Sequence, residues 1–255
     1  MAAYTYGQSR DMSNGIRNSF ESNWQVNQSL NPNNPSLAYS NFDVRNRIVA
    51  TAGYRREWNK HWTSYFTMVL AMQSGTPYSW GITSGSVSNS GQQVDLFYVP
   101  KSQSEITFTS YTDANGIVHT PQMQWNDFNN YISNDKYLNS RRGMYTERNG
   151  ARTPWLNQLD FRFMQDYNFY YKERKHTFQF TFDIINLTNM IDPAAGKQYF
   201  VPNTINGTAP IGLQVTSASG SNNPTFKFVA PTTTPYSIDK LASRWQGQIG
   251  VRYLF

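Results

Sequence analysis

The chain of 255 residues is long enough for one large domain, and the absence of cysteine excludes disulfides and thiolate metal sites. The net charge is +6 at pH 7, but lysine and arginine are scattered, which argues against a nucleic-acid-binding block. No apolar run reaches the roughly 18 residues that a transmembrane helix needs. Aromatic residues make up 16% of the chain, which is compatible with the interfacial belts of a membrane β-barrel.

The first residues already alternate like a strand, and they lack the charged and apolar segments of a secretory signal. We predict a strand over residues 2–8, with Tyr4 and Tyr6 on one face. A chain that begins within a strand suggests the C-terminal part of a longer protein. Residues 9–41 are rich in Asn and Ser and are predicted to form a long loop.

Two strands joined by a short turn come next. The first is predicted from about Val44 to Trp58 and the second from Trp62 to Gln73, each with its apolar residues at even positions. Trp58 and Trp62 flank the turn, where an interfacial aromatic belt would lie.

Residues 74–154 form the longest irregular stretch, interrupted by Gly and Pro. Within it we predict a short strand over 95–99 and a short helix over 125–138. An irregular segment of this length is uncommon in a compact soluble domain.

Three more strands are predicted over 155–167, 176–187 and 245–255. A charged turn over 168–175 joins the first two, and a long loop over 188–242 precedes the last. In the last strand, the odd positions from Trp245 to Phe255 are apolar or Gly and the even ones are mostly polar. Its length matches the roughly 9–11 residues with which a tilted strand crosses a bilayer.

Long and short loops alternate along the chain, so all the long loops lie at one end of the predicted strands. The predicted fold class is therefore all-β, an antiparallel transmembrane β-barrel segment of six strands with long extracellular loops and short periplasmic turns. The smallest single-chain barrels of this kind have about eight strands, and an open edge leaves backbone groups unpaired in lipid. Either these are the C-terminal strands of a larger barrel, or several copies share one.

Several stretches resemble the C-terminal third of a TonB-dependent outer-membrane receptor of the Bacteroidetes type, in particular the Oar-like branch. The most specific is Arg142-Gly143-Met144-Tyr145-Thr146-Glu147-Arg148-Asn149-Gly150-Ala151-Arg152-Thr153-Pro154-Trp155, which runs into Leu159-Asp160. The others are Asp43-Val44-Arg45-Asn46-Arg47, Ser74-Gly75-Thr76-Pro77-Tyr78, Asp95-Leu96-Phe97-Tyr98-Val99-Pro100, Asn186-Leu187-Thr188-Asn189 and the aromatic Phe255 at the end.

The resemblance implies a barrel of about 22 strands in the outer membrane of a Gram-negative bacterium. Residues 1–255 would be the C-terminal part of the barrel domain, without a plug domain. The implied partners are outer-membrane lipid, the N-terminal strands and plug of the same receptor, and the TonB complex acting through that N-terminal part.

Alternation assigns the side chains of the strands to two faces. Those predicted to face lipid or form the aromatic girdle are Trp58, Trp62, Phe161, Phe163, Phe178, Phe180, Tyr253 and Phe255. The charged side chains predicted to face the lumen are Arg45, Arg47, Asp160, Arg162, Asp183 and Arg252. They either hold a plug and guide substrate or only pair with neighbouring strands.

Aromatic residues in the long loops are candidates for extracellular substrate contact, or they pack the loops against one another. The candidates are Tyr78, Trp80, Tyr98 and Trp125. Catalysis, a cofactor and a metal site are not predicted, because His61, His119 and His176 are far apart in the sequence. Asp160 and Asp183 are interpreted as members of an ion network with Arg162.

The predicted function is uptake of a large nutrient, an oligosaccharide, peptide or metal chelate. One alternative is a surface barrel for adhesion or assembly that transports nothing. A less favoured alternative is a soluble carbohydrate-binding β-sandwich.

Overall fold

The computed structural model describes residues 1–13, 23–83, 86–88, 91–202 and 207–255, with the side chains of residues 23–24 left out. The strands are β1 (Ala2–Tyr6), β2 (Arg10–Asp11), β3 (Ala38–Tyr39), β4 (Asn46–Glu57), β5 (Trp62–Gln73), β6 (Pro77–Gly81), β7 (Tyr98–Val99), β8 (Thr107–Phe108), β9 (Tyr111–Thr112), β10 (Val118–His119), β11 (Met144–Tyr145), β12 (Ala151–Arg152), β13 (Leu156–Tyr171), β14 (Arg174–Ile185), β15 (Tyr199–Phe200), β16 (Thr208–Pro210), β17 (Leu213–Val215), β18 (Thr225–Phe228), β19 (Ser237–Ile238) and β20 (Gln246–Leu254). The helices are α1 (Asn23–Val26), α2 (Pro121–Asn134), α3 (Lys136–Ser140), α4 (Leu187–Ile191) and α5 (Lys240–Ser243), with a 3₁₀ turn at Gln103–Glu105.

Six strands form one antiparallel sheet in the order β1-β4-β5-β13-β14-β20. Spatial neighbours are therefore also consecutive among the long strands, as in an up-and-down meander. Phe163 on β13 lies opposite Phe66 on one side and Phe182 on the other. This register keeps the alternating apolar positions of all strands on one face.

The predicted strands match the sheet closely, except at one hairpin. The strand predicted over 62–73 is observed with those bounds. The charged turn predicted over 168–175 is wrong, because β13 and β14 stay paired as far as Tyr171 and Arg174. Lys172 and Glu173 alone close the hairpin, with φ of 47° and 67°. Two residues with positive φ fit a type I′ turn, whose twist matches that of the strands.

The long loops do not form an irregular surface but a second body, here called the cap, which consists of the described residues of 74–154 and 188–243. Short strands from the two loops interleave: β6 pairs with β12 and β16, and β18 pairs with β8 and β17. Helix α2 packs against β8 and β18. The buried apolar core of the cap comprises Tyr78, Trp80, Ile82, Phe97, Val99, Phe108, Phe128, Ile132, Leu138, Ala151, Ala209, Ile211, Leu213, Phe226 and Phe228.

The helix predicted over 125–138 corresponds to α2 and the start of α3, but α2 begins earlier. Thr120 is the N-cap, and its side chain accepts a hydrogen bond from the backbone N–H of Met123 at 3.3 Å. Pro121 occupies the first turn, where its missing N–H costs nothing. The strand predicted over 95–99 is shortened to β7, with Asp95 forming an isolated bridge to Ile82.

The fold is thus mainly β, with antiparallel pairing throughout the large sheet. Among the described residues, β1 and β20 each pair on one side only, so both edges of the sheet are open. In the same part of the chain, no helix has the length and apolar character needed to cross a membrane. Part of the loop predicted over 9–41 lies outside the described residues.

Candidate functional site on the two faces of the sheet and in the cap

One face of the large sheet is apolar and exposed. The register aligns Trp62, Tyr167, Phe178 and Tyr253 in one row across four strands. The residues predicted for the lipid-facing side, Trp58, Trp62, Phe161, Phe163, Phe178, Phe180, Tyr253 and Phe255, all lie on this face. Exposure rises toward the edge strand β20, and Val251 is 75% exposed. A continuous apolar surface of this kind normally marks a binding or membrane interface.

Aromatic rings crowd the end of this face that carries the tight turns. The ring centroids are 4.7 Å apart for Trp62 and Tyr167 and 4.8 Å apart for Phe178 and Tyr253. His176 joins this band, since its Nδ1 lies 2.7 Å from the Tyr253 hydroxyl. The band contains the residue types that the sequence predicts for an interfacial girdle.

The opposite face of the sheet is polar and carries paired charges. Arg162 donates to Asp183 through Nε at 2.6 Å and Nη2 at 2.9 Å, directly across the strand pair. Asp160 accepts the backbone N–H of Asn186 at 2.8 Å. Asp183 pairs with Arg162 as predicted, whereas Asp160 forms no ion pair among the described residues, so its predicted place in an ion network with Arg162 is wrong. Arg47 and Arg252 share this face, opposite Gln73 and Gln179 respectively.

Arg45 departs from the prediction, because it precedes β4 instead of lying within it. Its guanidinium lies 4.1 Å from the centre of the Tyr39 ring and 3.5 Å from the Asp43 carboxylate. Arg45 therefore belongs to the junction between sheet and cap rather than to the polar sheet face.

That junction is centred on the buried carboxylate of Asp43, which is 1% exposed. It accepts the backbone N–H of Ser9 at 2.7 Å and forms an ion pair with Arg152. Arg152 also donates to the Asp43 carbonyl oxygen at 2.9 Å. Burial lowers the pKa of Arg152, and the Asp43 carboxylate opposes that shift.

The stretch most specific to the resemblance, 142–155, supplies further buried contacts of this junction. Arg148 forms an ion pair with Asp11 at 2.7 Å and donates to Asn27 Oδ1 at 2.9 Å. Burial is also the main cause of the lowered pKa of Arg148. Asn149 has a φ of 57° and donates to the Tyr39 carbonyl at 2.7 Å. The geometry gives these residues a structural role, tying the N-terminal segment to the cap.

The loop aromatics divide into core and surface. Tyr78 and Trp80 are only 3% and 1% exposed and belong to the core of the cap. The prediction of a substrate contact is therefore wrong for Tyr78. An edge of Trp80 lines the cleft described below, so its contact with a substrate stays a prediction. Tyr98 is half-buried against Tyr145, with ring centroids 5.5 Å apart. Trp125 is half-buried and packs against the same core.

A cleft on the cap runs along the last two turns of α2. It has two adjoining lobes of about 470 and 500 Å³, and the residues that line both are Trp80, Tyr131, Pro231, Thr233, Thr234 and Pro235. Its polar lining comes from Asp127, Asn130, Asn134, Asp135, Thr208, Thr232, Thr233, Thr234, Tyr236 and Ser237, and no Lys, Arg or His of the described residues contributes. Burial and the nearby Asp135 carboxylate raise the pKa of Tyr131 to about 12. The sequence did not reveal the cleft, because its walls are about a hundred residues apart.

The second long loop of the cap is closed at its base by Asn186. This residue has a φ of 59°, and its Nδ2 donates to the carbonyls of Gly196 and Ser243, each at 2.8 Å. Because Asp160 on β13 accepts its backbone N–H, the base of the loop is attached to the polar face of the sheet.

The histidines are held by local partners. His61 Nδ1 lies 2.7 Å from the Asn168 carbonyl oxygen, and His119 lies 3.3 Å from Asp113. The backbone N–H of Ile117 is the main cause of the lowered pKa of Asp113, which is part of a tight turn. In the part of the chain that the structure describes, no three or more His, Asp or Glu side chains converge to hold a metal ion.

With the fold and these surfaces defined, the chain was compared with known proteins. No family model, no curated protein and no solved structure matches it.

Proposed function

We propose that this chain forms part of the wall of an outer-membrane β-barrel of the TonB-dependent receptor type, which takes up a large nutrient. The observation that carries the proposal is the two-faced sheet: one face exposes Ile249, Val251 and Phe180, and the other carries the Arg162–Asp183 pair. The apolar face is unfavourable in water, and the charged face is unfavourable in hydrocarbon. In a barrel wall, lipid covers the apolar face and the aqueous lumen hydrates the charged face.

The open edges support a larger assembly. In hydrocarbon, each unpaired backbone N–H or C=O on β1 and β20 costs several kcal/mol. Further strands must therefore complete the barrel, and we assign them to the same receptor. In this arrangement the tight hairpins face the periplasm and the cap faces the outside.

The cap is where the nutrient first meets the receptor. Its cleft contains no basic side chain among its lining residues, although the chain as a whole carries +6. This cleft fits a neutral or cationic ligand better than an anionic one, since no cation is present to pair with an anion.

Two neighbouring residues on β20 provide a matched test of the membrane assignment. Ile249 lies on the apolar face and Gln248 lies opposite Asp183 on the polar face, and both side chains are exposed in the isolated chain. An arginine facing lipid near mid-bilayer costs about 2–4 kcal/mol. Ile249→Arg should therefore deplete the protein from outer-membrane fractions, whereas Gln248→Arg should assemble like the wild type.

Immunoblotting of those fractions with an antibody against the cap measures the outcome. Equal assembly of the two variants would contradict the face assignment and would favour a soluble sandwich. The same blot tests the larger barrel, because a receptor of many more strands has a mass well above the 29.3 kDa of this chain.

Transport is tested separately with a deletion strain. We expect the strain to lose growth in one of three media, in which an oligosaccharide is the only carbon source, a peptide the only nitrogen source or a metal chelate the only source of that metal. Growth should return when the gene is restored. Unchanged growth and unchanged uptake of all three, with loss of surface attachment, would favour the adhesion function instead.

A further inference from the structure

The turn end of the sheet carries a set of cations beside the aromatic band. Arg56 and Arg174 lie on the apolar side by register, opposite Ser64 and Tyr171 respectively. Lys60 and Lys172 occupy the two tight turns. These four residues, Arg56, Lys60, Lys172 and Arg174, are called the turn-end cations below.

The turn-end cations have no carboxylate partners. None of them forms an ion pair within the residues that the structure describes, whereas Arg55 on the polar face pairs with Glu57. Glu173 is the one acidic residue in the turn segments 58–61 and 170–175. All four side chains are exposed, so their charges are available to an external anion.

Aromatic rings hold two of these cations next to the apolar face. The Arg56 guanidinium lies 5.4 Å from the centre of the Trp58 ring, and Lys172 Nζ lies 5.4 Å from that of Tyr171. Trp58 is itself oriented by its Nε1, which donates to Ser64 Oγ at 2.8 Å. The arrangement places positive charge where an apolar surface ends, at the depth of lipid headgroups.

The β13–β14 hairpin brings its cations beyond the neighbouring strands. Pairing of β13 with β5 ends at Tyr167, and β20 ends opposite Thr177, yet the hairpin continues to Lys172 and Glu173. Its tip stands out by about four residues, or roughly 13 Å at the usual rise of a strand. Lys172 and Arg174 can therefore reach outward from the hydrocarbon region to the phosphate headgroups.

We infer that the turn-end cations bind the headgroups of anionic phospholipids in the leaflet that surrounds the tight turns. This inference rests on the proposed membrane function and names the lipid partner of the apolar face. The phosphate supplies the negative charge that the protein does not, and the acyl chains cover the adjoining aromatic band. A basic side chain near an anionic membrane surface contributes about a fivefold gain in affinity.

The test compares lipid selectivity in vesicles. The native protein is purified from outer membranes in mild detergent and reconstituted into mixtures of phosphatidylcholine and phosphatidylglycerol, with bromine on the acyl chains of one lipid at a time. Trp58 and Trp62 lie at the turn end, and the exposed Trp155 and Trp245 at the cap end are replaced by Phe in all the proteins compared. Quenching of tryptophan fluorescence by the brominated lipids then reports mainly which lipid is enriched at the turn end.

We expect brominated phosphatidylglycerol to quench more strongly than brominated phosphatidylcholine in the wild type. Lys172→Gln with Arg174→Gln should lower this preference about fivefold or more, and added salt should lower it in the wild type too. The matched control, Lys136→Gln with Lys240→Gln, removes two exposed cations from the cap and should leave the preference unchanged.

Two outcomes would overturn the inference: equal quenching by the two lipids in the wild type, or a preference that survives the hairpin substitutions. Failure of the membrane proposal looks different, because neither brominated lipid would then quench the protein at all.

Discussion

The sheet and the cap use the same kinds of residue in opposite ways. Phe128 in the cap is fully buried, whereas Phe178 in the sheet is 47% exposed. The cap folds as a water-soluble domain does, with its aromatics in a core and its polar side chains outside. The sheet has its apolar residues outside, so its stability must come from a different solvent or from further chains. One polypeptide therefore contains two regions that obey different burial rules.

The junction between these regions offers the strongest way to test how far they depend on each other. Replacing Asp43 by Ala leaves Arg152 without its buried partner, and breaking a buried ion pair costs about 3–5 kcal/mol. We expect Asp43→Ala to lower the free energy of unfolding by that amount, measured by denaturant titration in detergent. The control is Asp127→Ala, an exposed carboxylate that makes no ion pair among the described residues.

If Asp43→Ala and Asp127→Ala unfold at the same denaturant concentration, the junction does not couple the two regions. If only the denaturation midpoint of the cap falls, the sheet is stable by itself and the two regions unfold independently.

A smaller effect is expected at the base of the cap, where two of its backbone segments approach each other closely. A Cβ on Gly75 would lie 1.9 Å from the carbonyl oxygen of Thr153. Overpacking of this kind costs about 1–3 kcal/mol, and here the obstacle is backbone, which cannot rotate away. Gly75→Ala should lower the thermal midpoint of unfolding, whereas Gly7→Ala, with nothing within 4 Å of its Cβ, should change it little. A normal midpoint for Gly75→Ala would show that the segments around Gly75 and Thr153 can separate locally.

A pH-dependent effect should be confined to the cap. Burial raises the pKa of Tyr131 and Tyr137 to about 12, from 10.0 for an unperturbed tyrosine. The folded cap therefore favours the neutral phenols, and this stabilisation is complete below pH 10 and is lost as the pH rises through 12. We expect the denaturation midpoint of the cap to fall over this range.

Replacing both tyrosines by Phe should reduce that fall, while Tyr170→Phe with Tyr171→Phe, at the exposed hairpin tip, should not. A fall of the same size in both double variants would assign the pH dependence to groups outside the cap core.

The sequence predicted the sheet well because its signal is local. Alternation along β5 and β20 depends only on the next residue but one, and a period of two assigns each side chain to a face. The strand predicted over 155–167 is shorter than β13, because the charged residues of 168–175 indicate a turn. The pattern of Phe169 and Tyr171 continues the strand, and the true turn needs only two residues.

The cap was predicted poorly because its order is not local. Tyr78 and Trp80 look like exposed loop aromatics until strands more than sixty residues away are known to cover them. The cleft has the same origin, since α2 and Pro231–Pro235 meet only in three dimensions. One missed signal was available: Thr120 followed by Pro121 is a recognisable helix start.

The hydrogen bonds of Asn186 at the base of the second long loop affect how the sequence of that loop can change in evolution. Residues 187–242 leave the sheet and return to it at one point, because Asn186 binds both Gly196 and Ser243. A loop whose ends are fixed together can be lengthened or exchanged at little entropic cost, since each doubling of its length costs only about 0.6 kcal/mol. The strands of the large sheet need not change when the loop does. The loop over residues 187–242 is therefore an exchangeable segment. Replacing it in a single recombination event would give the same sheet a new ligand preference.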